Sequence, residues 1–189
     1  MVATVRKPQT LTLTEFLSQP ETKPASEYSR GIISQKPMPK GKHSIIQSEL
    51  VPAINQQAKP QKIAYALSEL RCTFADRSIV PDIAVLRWQN LPQDEDGEIG
   101  NEVTCPPDWI IEILSPEQSA TLVMEKIVFC LAQGTELGWL IDPQAKNILV
   151  FDVGLPTIHL ADNTTPLKVL KDLADWQITA PEIFGWLQL

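Results

Sequence analysis

The sequence predicts an α/β fold with a central mixed sheet flanked by helices, and three observations predict it. Trp109-Ile110-Ile111-Glu112-Ile113-Leu114 is a dense apolar run of strand length, closed by Ser115-Pro116, and reads as a central strand. Val123, Ile127 and Leu131 then recur at intervals of four, the apolar face of an amphipathic helix. Leu137–Ile141 supplies the next strand, so this part of the chain reads strand, helix, strand. With 189 residues, 43% of them hydrophobic, the chain suits one domain with one core. That domain is expected over residues 11–189, behind a flexible tail over 1–10.

The remaining elements follow in order. Thr14, ahead of Glu15, Phe16 and Leu17, is expected to cap a short helix. Pro20 and Pro24 mark a loop, and Tyr28 to Gln35, with Gly31 in its middle, reads as a hairpin or strand. Pro37-Met38-Pro39 breaks regular structure. Ile46, Leu50 and Ile54, again four apart, predict a helix over 43–58, which Pro52 should kink or limit. Lys62–Ala66, Glu69–Phe74 and Ile79–Leu86 are strand-like, and 90–107 is an acidic, turn-rich, exposed loop. Ser119 caps the helix that carries Val123, and Gly134 suits its C-terminal end. Asn147–Val153 is a further strand, and a helix follows Pro181.

Composition narrows the function classes. The net charge is −7 and the sequence pI about 4.8, unlike a protein that coats nucleic acid. The charge is uneven: residues 1–77 carry 11 Lys and Arg against 6 Asp and Glu, and residues 78–189 carry 5 against 17. A basic face is therefore compatible with the acidic total, as is a solvated surface with chance clustering. No apolar run is long enough to span a membrane and no signal-like N-terminus is visible, so the expected location is the cytoplasm. Cys72, Cys105 and Cys130 are far apart and read as free thiols, and only His43 and His159 are present. Zinc-ribbon, thioredoxin-type and His-rich metal sites are thereby excluded, and nothing calls for an organic cofactor. The tryptophans read as core or interface residues.

Glu112 is the most informative residue. An ionised carboxylate inside that apolar strand costs several kcal/mol unless a basic partner, a proton or a metal ion compensates it. An ion pair with Arg71, Arg77 or Arg87 would do so. Asp82, in Ile79-Val80-Pro81-Asp82-Ile83-Ala84-Val85, is a second carboxylate flanked by apolar strand residues. On neighbouring strands the two would repel, and a hard cation that prefers oxygen ligands, Mg²⁺ or Mn²⁺, relieves that repulsion. Such an ion can activate water and stabilise charge on a phosphate, with a nearby lysine to orient the water.

Pro81-Asp82, followed about thirty residues later by Glu112-Ile113-Leu114, resembles the PD-(D/E)XK nuclease core. More closely, the chain resembles the Uma-two family of restriction-endonuclease-like proteins. The matching segments are Leu13–Leu17, Glu27 ahead of Gly31, Gly41-Lys42-His43, Val80–Val85, Ile111–Pro116 and Gly138–Pro143, in the family's order. The resemblance implies a restriction-endonuclease-like fold and Mg²⁺-dependent (or Mn²⁺-dependent) hydrolysis of DNA phosphodiester bonds. It also implies a homodimer, because two cuts need two sites.

Residue by residue, the resemblance implies that Asp82, Glu112 and the carbonyl of Ile113 bind the metal. Glu27 would complete the metal shell, directly or through water. The lysine that the parent motif places two residues after the acid is Leu114 here, and Lys126 matches the family's replacement from the next helix. It would position the attacking water. His43 would contact phosphate or an active-site water, with Lys36, Lys40 and Lys42 as a phosphate-facing wall. Two alternatives stay open. One is a degenerate nuclease fold that binds nucleic acid or a protein without cutting. The other is a structural dimer with Glu112 in a buried ion pair.

Overall fold

The computed structural model describes residues 11–116 and 118–188. The expected tail over 1–10 lies outside them. Two sheets organise the chain. The smaller begins with a short helix α1 (Leu13–Leu17) and the hairpin β1 (Ser26–Ser29) and β2 (Ile32–Gln35). Arg30 and Gly31 both take positive φ in the two-residue turn, the conformation that matches strand twist in tight hairpins. After helix α2 (Gly41–Ala58) and strand β3 (Ala64–Ser68), β4 (Cys72–Phe74) and β5 (Arg77–Ile79) complete this sheet, in the antiparallel order β2-β1-β5-β4.

The larger sheet takes β3, β6 (Ile83–Arg87), β7 (Trp109–Ile113), β8 (Leu137–Asp142), β9 (Asn147–Phe151) and β10 (Thr157–Leu160), in the order β10-β9-β8-β7-β6-β3. It is mixed: β7 and β8 are parallel, joined by helix α3 (Ala120–Ala132), and the other neighbours are antiparallel. On one face Ile46, Leu50 and Ile54 of α2 and Ile183 of α4 (Ala180–Gly185) pack against Trp109, Ile111, Ile113 and Trp139. On the other, Val123 and Ile127 of α3 cover Ala84, Ile110 and Leu140, together with Cys72 and Ile79 of the small sheet. Alternation along β7 therefore turns Glu112 to the α3 face.

Four expectations are corrected. The α1 cap is Thr12, not Thr14: Glu15 three residues on closes a reciprocal capping box with Thr12, which leaves Thr14 inside the helix. Pro52 does not end α2, because fully buried Ile46, Leu50, Ile54 and Ala58 hold the helix on both sides of the lost hydrogen bond. Ile79–Leu86 is not one strand. Pro81 has no N–H to donate, and at Val80–Asp82 the chain leaves the small sheet for the large one. Glu69–Phe74 is likewise shortened to Cys72–Phe74, because Glu69 takes positive φ before it. Strand β10, largely exposed, was not legible in the apolar pattern.

The loop over 90–107 is exposed over 93–99, as expected, but Val103 is buried and its carbonyl accepts from Thr73 N–H. Cys72, Cys105 and Cys130 are free thiols. Among the described residues no helix is long and apolar enough to cross a membrane.

Candidate active site

The site forms where the two sheets meet. Ile83 pairs with Ile111, so Asp82, one residue before β6, stands across from Glu112 in the continued register. Both are buried, at 2% and 1% exposure. Asp82 is densely held. Its Oδ2 accepts from Ile113 N–H at 2.7 Å and lies 3.1 Å from His43 Nε2, and its Oδ1 accepts from Lys36 Nζ at 2.5 Å. Its carbonyl accepts from Gln47 Nε2 at 2.7 Å. Burial pushes the Asp82 carboxyl upward, but the His43 hydrogen bond and the charges of Lys36, His43 and Lys126 outweigh it. They hold Asp82 well below the usual carboxylate range.

Glu112 is held differently. Lys126 Nζ, from α3, lies 2.9 Å from Glu112 Oε1 but outside hydrogen-bonding geometry, and neither Glu112 oxygen has a hydrogen-bond partner. Burial pushes Glu112 up to about 7; Lys126 pulls it down and Asp82 raises it further. Lys126 donates to Glu27 Oε1 at 2.9 Å, and the same oxygen accepts from Val80 N–H at 2.8 Å. Burial works to lower the Lys126 ammonium, but Glu112, Glu27 and Asp82 raise it overall, so it stays charged.

The structure thus brings Glu27, His43, Asp82, Glu112, Ile113 and Lys126 to one place. Glu27 is on β1 and half-buried, and Lys126 is buried, at 8% exposure. The arginine partners envisaged for Glu112 are engaged elsewhere. Arg71 pairs with Glu21, Arg77 with Glu125, and Arg87 with Asp108, Glu136 and Asp172. They lie on other elements and fix other joints of the fold.

One expected residue takes another place and one enters that sequence reasoning missed. Lys36 sits on Asp82 instead of facing a phosphate wall, a contact spanning 46 residues with no local signal. Gln47 had one available signal, its position one helical turn after His43.

A cleft of about 650 Å³ opens beside the site, lined by Lys40, Lys42, His43, Ser115, Gln118 and Asp142 among others. A smaller gap, lined by Lys36 and Asp82, shares His43, Ser115 and Gln118 with the cleft wall. Among the described residues no three His, Cys, Asp or Glu side chains form a ready metal cage. What is present is two carboxylates in register and a strand backbone. The buried Glu112 carboxylate, which accepts no hydrogen bond and meets only Lys126, suits a hard cation.

The profile of the Uma2 family, described as "Putative restriction endonuclease", matches residues 13–181. Among solved structures, a crystal structure described as "a putative nuclease belonging to DUF820" from Anabaena variabilis is 48% identical. It covers 94% of this chain and 99% of that one, with a TM-score of 0.91. The fold is accordingly restriction-endonuclease-like. A DrdV–DNA complex matches at 10% identity over 59% of this chain and 9% of the other, with a TM-score of 0.34, too low to carry weight. No curated protein matches.

Proposed function

This chain belongs to the Uma2 family, and from that premise we propose that it is a Mg²⁺-dependent endonuclease hydrolysing DNA phosphodiester bonds. The observation that carries the proposal is Glu112, a buried carboxylate that accepts no hydrogen bond, opposite Asp82 and in ion-pair contact with Lys126 through one oxygen. The proposal takes residues 11–189 as one nuclease domain acting as a cytoplasmic homodimer that leaves 5′-phosphate ends.

Asp82, Glu112 and the Ile113 carbonyl would hold Mg²⁺ or Mn²⁺. Bound there, the ion would supply an acidified water and charge stabilisation at the phosphate. The chain's own residues do the rest. His43 and Ile113 N–H fix Asp82 Oδ2, so Oδ1, held by Lys36, is the oxygen that would be offered to a cation. Glu27 anchors Lys126 and is itself anchored by Val80 N–H. Lys126, kept cationic by three carboxylates, positions water and neutralises charge on the phosphate; it does not serve as a base. Lys40 and Lys42 line the cleft and meet the flanking backbone.

The test is nicking of supercoiled plasmid DNA with Mg²⁺ or Mn²⁺, comparing the parent with Asp82→Asn, Glu112→Gln and Lys126→Met. Cleavage is expected in the parent and a drop of at least about 100-fold in each variant, the scale of losing one electrostatic catalytic group. Equal cleavage by parent and all three folded variants would sink the proposal.

A further inference from the structure

We infer that Lys36 is the resident counter-ion of Asp82 and is expelled from the site when a divalent cation binds. The inference rests on the metal-site reading above, and three observations carry it.

The first is occupancy. Asp82 Oδ2 is committed to Ile113 N–H and His43, so Oδ1 is the oxygen left for a cation, and Lys36 Nζ holds it. An ammonium and a metal ion cannot share that position.

The second is charge. Glu27, Asp82 and Glu112 already face two ammonium groups, Lys36 and Lys126. A divalent cation entering the closed site adds two positive charges to that set. Departure of one ammonium offsets part of the added charge, which burial favours.

The third observation decides which ammonium leaves. Lys126 lies between Glu27 and Glu112 on the buried face of α3. Lys36 holds one carboxylate oxygen and the Val80 carbonyl, at 2.8 Å. It follows β2, precedes the exposed Pro37, Met38 and Pro39, and lines a gap together with Ser115 and Gln118 of the cleft wall. Both lysine side chains are nearly covered, but Lys36 is held by one carboxylate and rides on a connecting segment, whereas Lys126 sits between two carboxylates and rides on a packed helix. That segment runs on to Lys40 and Lys42, so a released Lys36 would add a third cation to the surface proposed to meet the nucleic-acid backbone.

Two measurements test this, neither of which reads activity. In the first, Mn²⁺ is titrated calorimetrically into the parent, Lys36→Gln and Lys126→Gln, with melting temperatures as the control for folding. Lys36→Gln, which keeps a polar group beside Asp82, is expected to bind Mn²⁺ at least tenfold more tightly than the parent. Lys126→Gln is expected to gain less. In the second, the unmodified protein is pulse-acetylated with and without Mg²⁺ and the lysines are read by mass spectrometry, so no variant need fold. Lys36 is expected to react slowly without metal and severalfold faster with it, while Lys126 stays protected. Metal binding by the parent with Lys36 still protected, or with unchanged affinity in folded Lys36→Gln, overturns this inference and leaves the nuclease reading standing. No Mn²⁺ binding in any of the three proteins overturns both.

Discussion

Strands β6 and β7 carry a cluster of charge at each end, and the two clusters are built to opposite rules. At one end Arg87 donates to Asp172, Asp108 and Glu136 from its three nitrogens. Asp108 also accepts from Arg87 N–H and twice from Asn90, so its oxygens are fully used. At the other end, about five residues along the same strands, Glu112 accepts nothing. Both ends contain buried carboxylates and basic side chains, so composition does not distinguish them. Satisfaction does: a saturated network joins elements, and an unsaturated one awaits a ligand.

The largest way to break this comparison is to remove a carboxylate from each end in turn. Asp108→Ala strands the Arg87 N–H and Asn90 amide and is expected to cost about 3 kcal/mol in metal-free protein, measured by urea unfolding. Glu112→Gln is expected to cost no stability, because it relieves repulsion with Asp82 and Glu27, while it abolishes Mn²⁺ binding. Equal losses at both ends would make Glu112 one more structural ion-pair member.

Gly138 sharpens the comparison more gently. A Cβ there would collide with Ile127 Cγ2, so only glycine lets α3 lie this close to β8. Gly138→Ala is expected to cost about 1–3 kcal/mol by overpacking. Because Lys126 adjoins Ile127, it should also weaken Mn²⁺ binding, whereas an overpacked site near Arg87 would not.

A further effect is in pH. Glu112 is raised to about 7 in the fold from an ordinary 4.5, so between these values the folded protein holds a proton that the unfolded chain has lost. Metal-free stability therefore falls as pH rises from about 4.5 to 7 and then levels. Asp82, held low, adds stability that is present above its ordinary 3.8 and is lost as pH falls further below it. Melting curves across pH 3–8 should show the decline above 4.5 in the parent and not in Glu112→Gln.

Much of this was legible in sequence because the signals were local. The strand around Glu112, the α2 and α3 stripes and the order of elements rest on short-range periodicity. The division at Pro81 was misread because apolar residues run on both sides of it. Which partner reaches Glu112 was beyond local pattern: Lys126 and three arginines were all available, and only packing of α3 on β8 selects among them. Lys36 was visible as a charge but its destination was not, since it depends on how the small sheet docks on the large one.

That docking has a temporal consequence. Glu27 and Lys126, which share one hydrogen bond, are 99 residues apart. During synthesis the acids at 27, 82 and 112 emerge well before the lysine that joins two of them, and α3 packs only once β8 follows it. A chain proposed to cut DNA would thus carry no assembled centre on the ribosome until β8 had been made. Truncated products, whatever else they bind, would lack the means to cut.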